Sequence, residues 1–155
     1  MWLTLLERQG TPVGWDELVT GYDFGLLGQV EIQDWILAHG PLGPMALAAL
    51  EAQELFEGAL WKASLEATGK VPRPGGHRWA QAQDRWRLAL LRDAMEAPLS
   101  AEALAVAVET IYEKVGCPED MLGLWHRPSP WEKRLGAADR KAIEAFLQER
   151  SGVAP

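Results

Sequence analysis

Cys117 is the single cysteine in 155 residues, which excludes an intramolecular disulfide and any two-cysteine metal knuckle. The histidines are three, His39, His77 and His126. None falls in an HExxH or Glu-x-x-His pattern, so neither a metal nor another cofactor is expected, and each imidazole reads as structural. Long apolar runs are missing too. The most apolar stretch, "PMALAALEAQELF", is interrupted by Glu51 and Glu54, far short of the ~20 residues that span a bilayer. The N-terminus "MWLTLLERQG" has neither a basic region ahead of its apolar residues nor a small-residue cleavage site. A secretory leader is therefore not expected, and a cytoplasmic protein is. The segment "PRPGGHRW" lacks the lysine and the preceding strand of a phosphate-binding loop. No Asn-Gly hairpin signal occurs anywhere.

Basic residues are scarce where acids gather. The formal charge is −7, and residues 1–44 carry Glu7, Asp16, Glu17, Asp23, Glu31 and Asp34 against Arg8 alone. Residues 98–125 set five acids against Lys114, whereas residues 72–97 hold five arginines against three acids. Acidic surface repels nucleic acid and anionic lipid and attracts basic partners. The balance of 48% hydrophobic and 24% charged residues is that of an ordinary globular chain rather than a disordered one. The length suits one domain, residues 1–155, because single cores are commonly built from about 100–150 residues.

Glycine and proline punctuate the chain into helices. "PMALAALEAQELFEGALWKASLEATG" (44–69) opens on Pro44, closes on Gly69 and carries a three-and-four apolar stripe, which predicts one long central helix. "KVPRPGG" cannot propagate a helix. A second helix is expected from His77 to about Ala97, with Trp79, Ala82, Trp86, Ala89 and Leu90 on one face. Ser100 offers an N-cap to a third, whose stripe of Leu104, Ala105, Val108, Ile111, Tyr112 and Val115 stops at Gly116. "AADRKAIEAFLQERSG" predicts a fourth, with Ala142, Ala145 and Phe146 inward, Ile143 helping, and Gly152 past its end. Two shorter helices are expected within 14–40: Trp15, Leu18, Val19 and Tyr22 face inward in one, Val30, Ile32, Trp35 and Ile36 in the other. The fold class is all-α, a single-domain bundle of about six helices.

Chemistry-bearing residues concentrate in "IYEKVGCPEDMLGLWHRP" (111–128). Cys117 precedes Pro118, a suitable first residue for a short helix, and could gain thiolate character from the helix dipole and His126. Glu119 and Asp120 occupy that first turn and oppose it by repulsion, so the segment reads chiefly as a helix corner. Arg78, Arg85 and Arg92, spaced by seven, share one helix face. They could grip an anionic ligand, but pairing with Glu51, Glu54 and Glu57 of the neighbouring helix is the favoured reading. Of the eight tryptophans, Trp125 and Trp131 lie among proline turns and are the expected partly exposed contact residues.

Two segments, "WDELVTGYDFGLLGQVEIQDWI" (15–36) and "IYEKVGCPEDMLGLWHRPSP" (111–130), together resemble a family of small uncharacterised helical bacterial proteins, described as a domain of unknown function. The likeness lies in a tryptophan followed by a tyrosine-and-glycine turn, and in an isoleucine-tyrosine helix end with a proline-acid corner. The resemblance implies no reaction and no catalytic residue. It implies a component encoded near bacterial toxin systems, hence an immunity-type binder.

The expected function is thus a non-catalytic protein-binding module that covers a basic protein surface, with neither nucleic acid nor membrane as partner. Its expected contact residues are Asp16, Glu17, Asp23, Glu31, Asp34, Glu119, Asp120, Trp125 and Trp131. The alternatives are a structural homo-oligomer joined through tryptophan-bearing faces and a small hydrolase or transferase using Cys117 with His126.

Overall fold

Left-handed glycines and short-range caps set most helix boundaries in this chain. The computed structural model describes residues 2–40, 42–132 and 136–151. Among the described residues it holds eight α-helices, one 3-10 helix and one pair of two-residue strands. The chain is therefore helical, with more helices than the six expected and a minimal sheet. It divides into two compact units, Met1–Arg85 and Trp86–Pro155.

In the first unit, α1 (Trp2–Arg8) buries Leu3, Leu5 and Leu6 and was not foreseen as a helix. Gly10, at φ 71°, ends it: the Thr11 N–H donates to the Leu6 carbonyl at 2.9 Å and the Gly10 N–H to that of Glu7 at 3.0 Å, the two bonds of a Schellman closure. Helix α2 (Trp15–Asp23) starts where the Gly14 N–H donates to Glu17 Oε2 at 2.8 Å. It closes in the same way at Gly25, with Leu26 bonded back to Gly21 at 2.8 Å. Helix α3 (Gln29–Ala38) buries Ile32 and Ile36. Val30, expected inward, is 69% exposed, because it stands two residues before Ile32 and so points away from that face.

The expected single helix over 44–69 is two: α4 (Pro44–Glu51) and α5 (Phe56–Thr68), packed against each other. Neither glycine nor proline makes the break. The chain leaves helical geometry at Ala52, with φ −65° and ψ 129°, and Leu55 enters α5 from the left-handed region at φ 55°. Glutamines of α3 satisfy the carbonyls this frees. Gln29 Nε2 donates to Ala52 O at 2.6 Å, and Gln33 Nε2 to the Ala49, Leu50 and Ala52 carbonyls at 3.0, 3.3 and 3.3 Å. At the other end of α4, the Glu66 carboxylate accepts from the Met45 N–H at 3.2 Å. A side chain at Gly43 would collide with that carboxylate.

Helix α6 (His77–Glu96) contains the division between the units. In the second unit Ser100 Oγ accepts the Ala103 N–H at 3.1 Å to begin α7 (Ala101–Lys114), which buries Leu104, Ala105, Val108 and Ile111 as its stripe predicts. Gly116, at φ 89°, and Cys117, at φ 55°, end it, with the Cys117 N–H bonded to Tyr112 O at 2.8 Å. The 3-10 helix η1 (Glu119–Leu124) follows Pro118. Strand β1 (Trp125–His126) then pairs antiparallel with β2 (Ala137–Ala138), Trp125 opposite Ala138. The second strand takes the residues expected to open the last helix, so α8 (Arg140–Arg150) begins later, capped by Asp139 Oδ1 on the Ala142 N–H at 3.1 Å. Ile143 and Phe146 are buried in α8, whereas Ala145, expected inward, is exposed. Gly152 lies outside the described residues.

Candidate functional site

Two of the three arginines of the row, Arg78 and Arg85, have internal partners, but not the expected ones. Arg78 grips Asp16 with two bonds, Nε to Oδ2 at 2.9 Å and Nη2 to Oδ1 at 2.5 Å, and Arg85 pairs with Glu17. The partners therefore come from the first turn of α2 rather than from Glu51, Glu54 and Glu57. The bidentate hydrogen bond to Asp16 raises the Arg78 guanidinium above its ordinary range. Glu17 is buried, and Glu31 accepts the Leu3 N–H at 3.4 Å. Three of the nine predicted contact residues are thus engaged within the first unit.

Asp23 and Asp34 remain exposed. Asp23 ends α2, where the helix dipole already presents negative charge. The edge-on packing of Tyr22 against Phe56, 5.4 Å between ring centres, holds this end of α2 against the start of α5. Partial burial, and then the charge of Glu57, push the Asp23 carboxyl above its usual range. Beside them Leu55 is 89% exposed in a conformation that costs a non-glycine residue about 1–2 kcal/mol. Two acids with no paired cation among the described residues and an outward leucine thus share one corner of the first unit. Nothing in the sequence marked Leu55, since its place in the apolar stripe pointed it inward.

The acids of the corner after α7 are used differently. Asp120 receives Arg87 at 2.6 and 3.0 Å and Arg150 at 3.2 Å. Partial burial alone would raise its carboxyl, but the bonds and charge of Arg87, followed by those of Arg150, hold it below the ordinary range. Arg87 is only 5% exposed and lies 5.1 Å from the Phe146 ring centre. Asp120, though exposed like Glu119, therefore serves as an anchor for both arginines. Trp125, expected to be partly exposed, is only 5% exposed: strand pairing turns it onto Tyr112, 5.3 Å between ring centres. Trp131 is 89% exposed, as expected.

Cys117 is exposed, and its thiol neighbours the Tyr112 hydroxyl, which partial burial and then that thiol raise above its ordinary value. His126 Nε2 pairs with Glu132 Oε2 at 2.9 Å, so a carboxylate rather than a thiol engages that nitrogen. Among the described residues no group of three His, Cys, Asp or Glu side chains could hold a metal ion, and no helix is long and apolar enough to cross a membrane.

Concavities also mark the surface of each unit. One, of about 510 Å³, is lined in the second unit by α7 and the strand pair, including Glu102, Val106, Glu109, Trp125 and Arg127. The other, of about 360 Å³, lies in the first unit among Trp15, His39 and Glu66. His39 stacks on Trp35 at 4.4 Å, and its Nδ1 lies 2.9 Å from the Trp35 carbonyl. Comparison with protein-family models, with curated proteins and with solved structures finds no match to this chain.

Proposed function

We propose that the protein is a non-catalytic protein-binding module whose partner offers a basic surface with an apolar recess, as an immunity-type protein neutralising a basic toxin would require. The observation that carries this reading is the corner of Asp23, Leu55 and Glu57. There Asp23 lies in the field of Glu57, with no cation paired to either among the described residues, beside a large apolar side chain held outward. A lysine or arginine of the partner would relieve the repulsion, and burial of Leu55 would contribute about 1.5–3 kcal/mol. Exposed Asp34 and Glu7 extend the same charge sign over the unit.

The test is calorimetric titration against a basic toxin nuclease encoded beside the gene, together with inhibition of its activity. A stoichiometric complex that Leu55→Asp weakens by about tenfold or more supports the reading. Absence of both complex and inhibition removes it. A second reading, a homo-oligomer, draws on Trp61 and Leu65, which stand exposed one turn apart on α5. Light scattering that returns a monomer mass at high concentration excludes it.

A further inference from the structure

The concavity of the second unit has the size of a ligand site and a composition that selects its occupant. Its floor is apolar: Ala105, Val106, Trp125 and Pro128 line it, and Val106 on α7 is 66% exposed. Among the described lining residues its charge is net negative, with Glu102 and Glu109 against the guanidinium of Arg127. Arg127 is already engaged, 3.3 Å from Glu109 and 5.8 Å from the Trp125 ring centre, which leaves Glu102 without an ionic partner among the described residues. Trp125 is only 5% exposed, and its indole Nε1, buried and without a hydrogen-bond partner among the described residues, does not reach the groove surface. The shape depends on Gly136, where a side chain would come within 2.9 Å of the His126 carbonyl.

We infer that this groove binds an extended peptide segment in which a lysine or arginine stands beside an aliphatic residue. The aliphatic side chain covers Val106 and Pro128, and the cation meets Glu102. The inference stands on the groove alone and does not depend on the Leu55 corner.

The probe is a capped hexapeptide alternating lysine and leucine, titrated into the isotopically labelled full chain and followed by amide and indole resonances. The expected result is saturable shifts at Glu102, Val106 and Glu109. Val106→Arg, a change at an exposed position that introduces a repelling charge, reduces affinity by about tenfold or more, and Glu102→Gln by about threefold to fivefold. Equal binding of a glutamate-leucine peptide overturns the charge assignment, and equal binding of a lysine-serine peptide overturns the apolar one. Shifts that map elsewhere, or no saturable shift, overturn the site itself.

Discussion

Leu55 and Asp23 are two residues whose local chemistry works against the folded chain. Leu55 sits at φ 55° with its side chain in solvent, where glycine would avoid the left-handed cost. Leu55→Gly is expected to raise stability by about 0.5–1 kcal/mol in urea denaturation, the relief of 1–2 kcal/mol being partly offset by glycine's greater chain entropy. The same variant is expected to bind the partner more weakly, separating stability from recognition. Asp23 has a folded pKa above its ordinary value of 3.8. The folded state therefore binds its proton more tightly, and ionisation lowers stability as pH rises from 3.8 through the folded value. Asp23→Asn is expected to be more stable than the parent at neutral pH, with the advantage fading below pH 3.8 when melting is followed across pH.

Helices meet one another through buried polar anchors, and these decide what single substitutions do between elements. Gln33 of α3 serves three carbonyls around the end of α4. Gln33→Leu is expected to cost about 1–2 kcal/mol in denaturant unfolding, because helix-end carbonyls lose their donor. In the second unit, Asp120 of η1 joins Arg87 of α6 to Arg150 of α8. Asp120→Ala leaves the buried guanidinium of Arg87 without its bidentate carboxylate and is expected to cost about 2–3 kcal/mol by the same measurement. The folded pKa of Asp120 lies below its ordinary value of 3.8. Its contribution is therefore present above 3.8 and is lost as pH falls from there through the folded value, so the parent and Asp120→Ala are expected to converge in strong acid. Elements were legible where their ends are local. Ser100, Gly69 and Gly116 act where the sequence placed them. The interruption between α4 and α5 was not, because the residues that stabilise it, Gln29 and Gln33, belong to another helix.

Over the whole molecule, the net charge of −7 would govern how the proposed basic partner arrives more than how tightly it holds. Association with a basic partner is expected to slow as salt rises from about 0.01 to 0.15 M, while dissociation changes little, since the screening length shortens from about 30 to 8 Å. Stopped-flow binding at several salt concentrations measures this. A rate indifferent to salt would mean that the acidic surface takes no part in the encounter.

The sequence by itself determined the helical class, most helix ends and the excess of negative charge, because turns, caps and composition depend on residues within a few positions of one another. Only the tertiary structure decided which charges face outward. Arg78 and Arg85 take Asp16 and Glu17 rather than the predicted glutamates, Arg87 takes Asp120, and Asp23 is left beside Glu57. It likewise turned Trp125 inward and Leu55 outward. Ion pairing and burial are settled between residues far apart in the chain, and no local pattern specifies which of several equivalent carboxylates a guanidinium will reach.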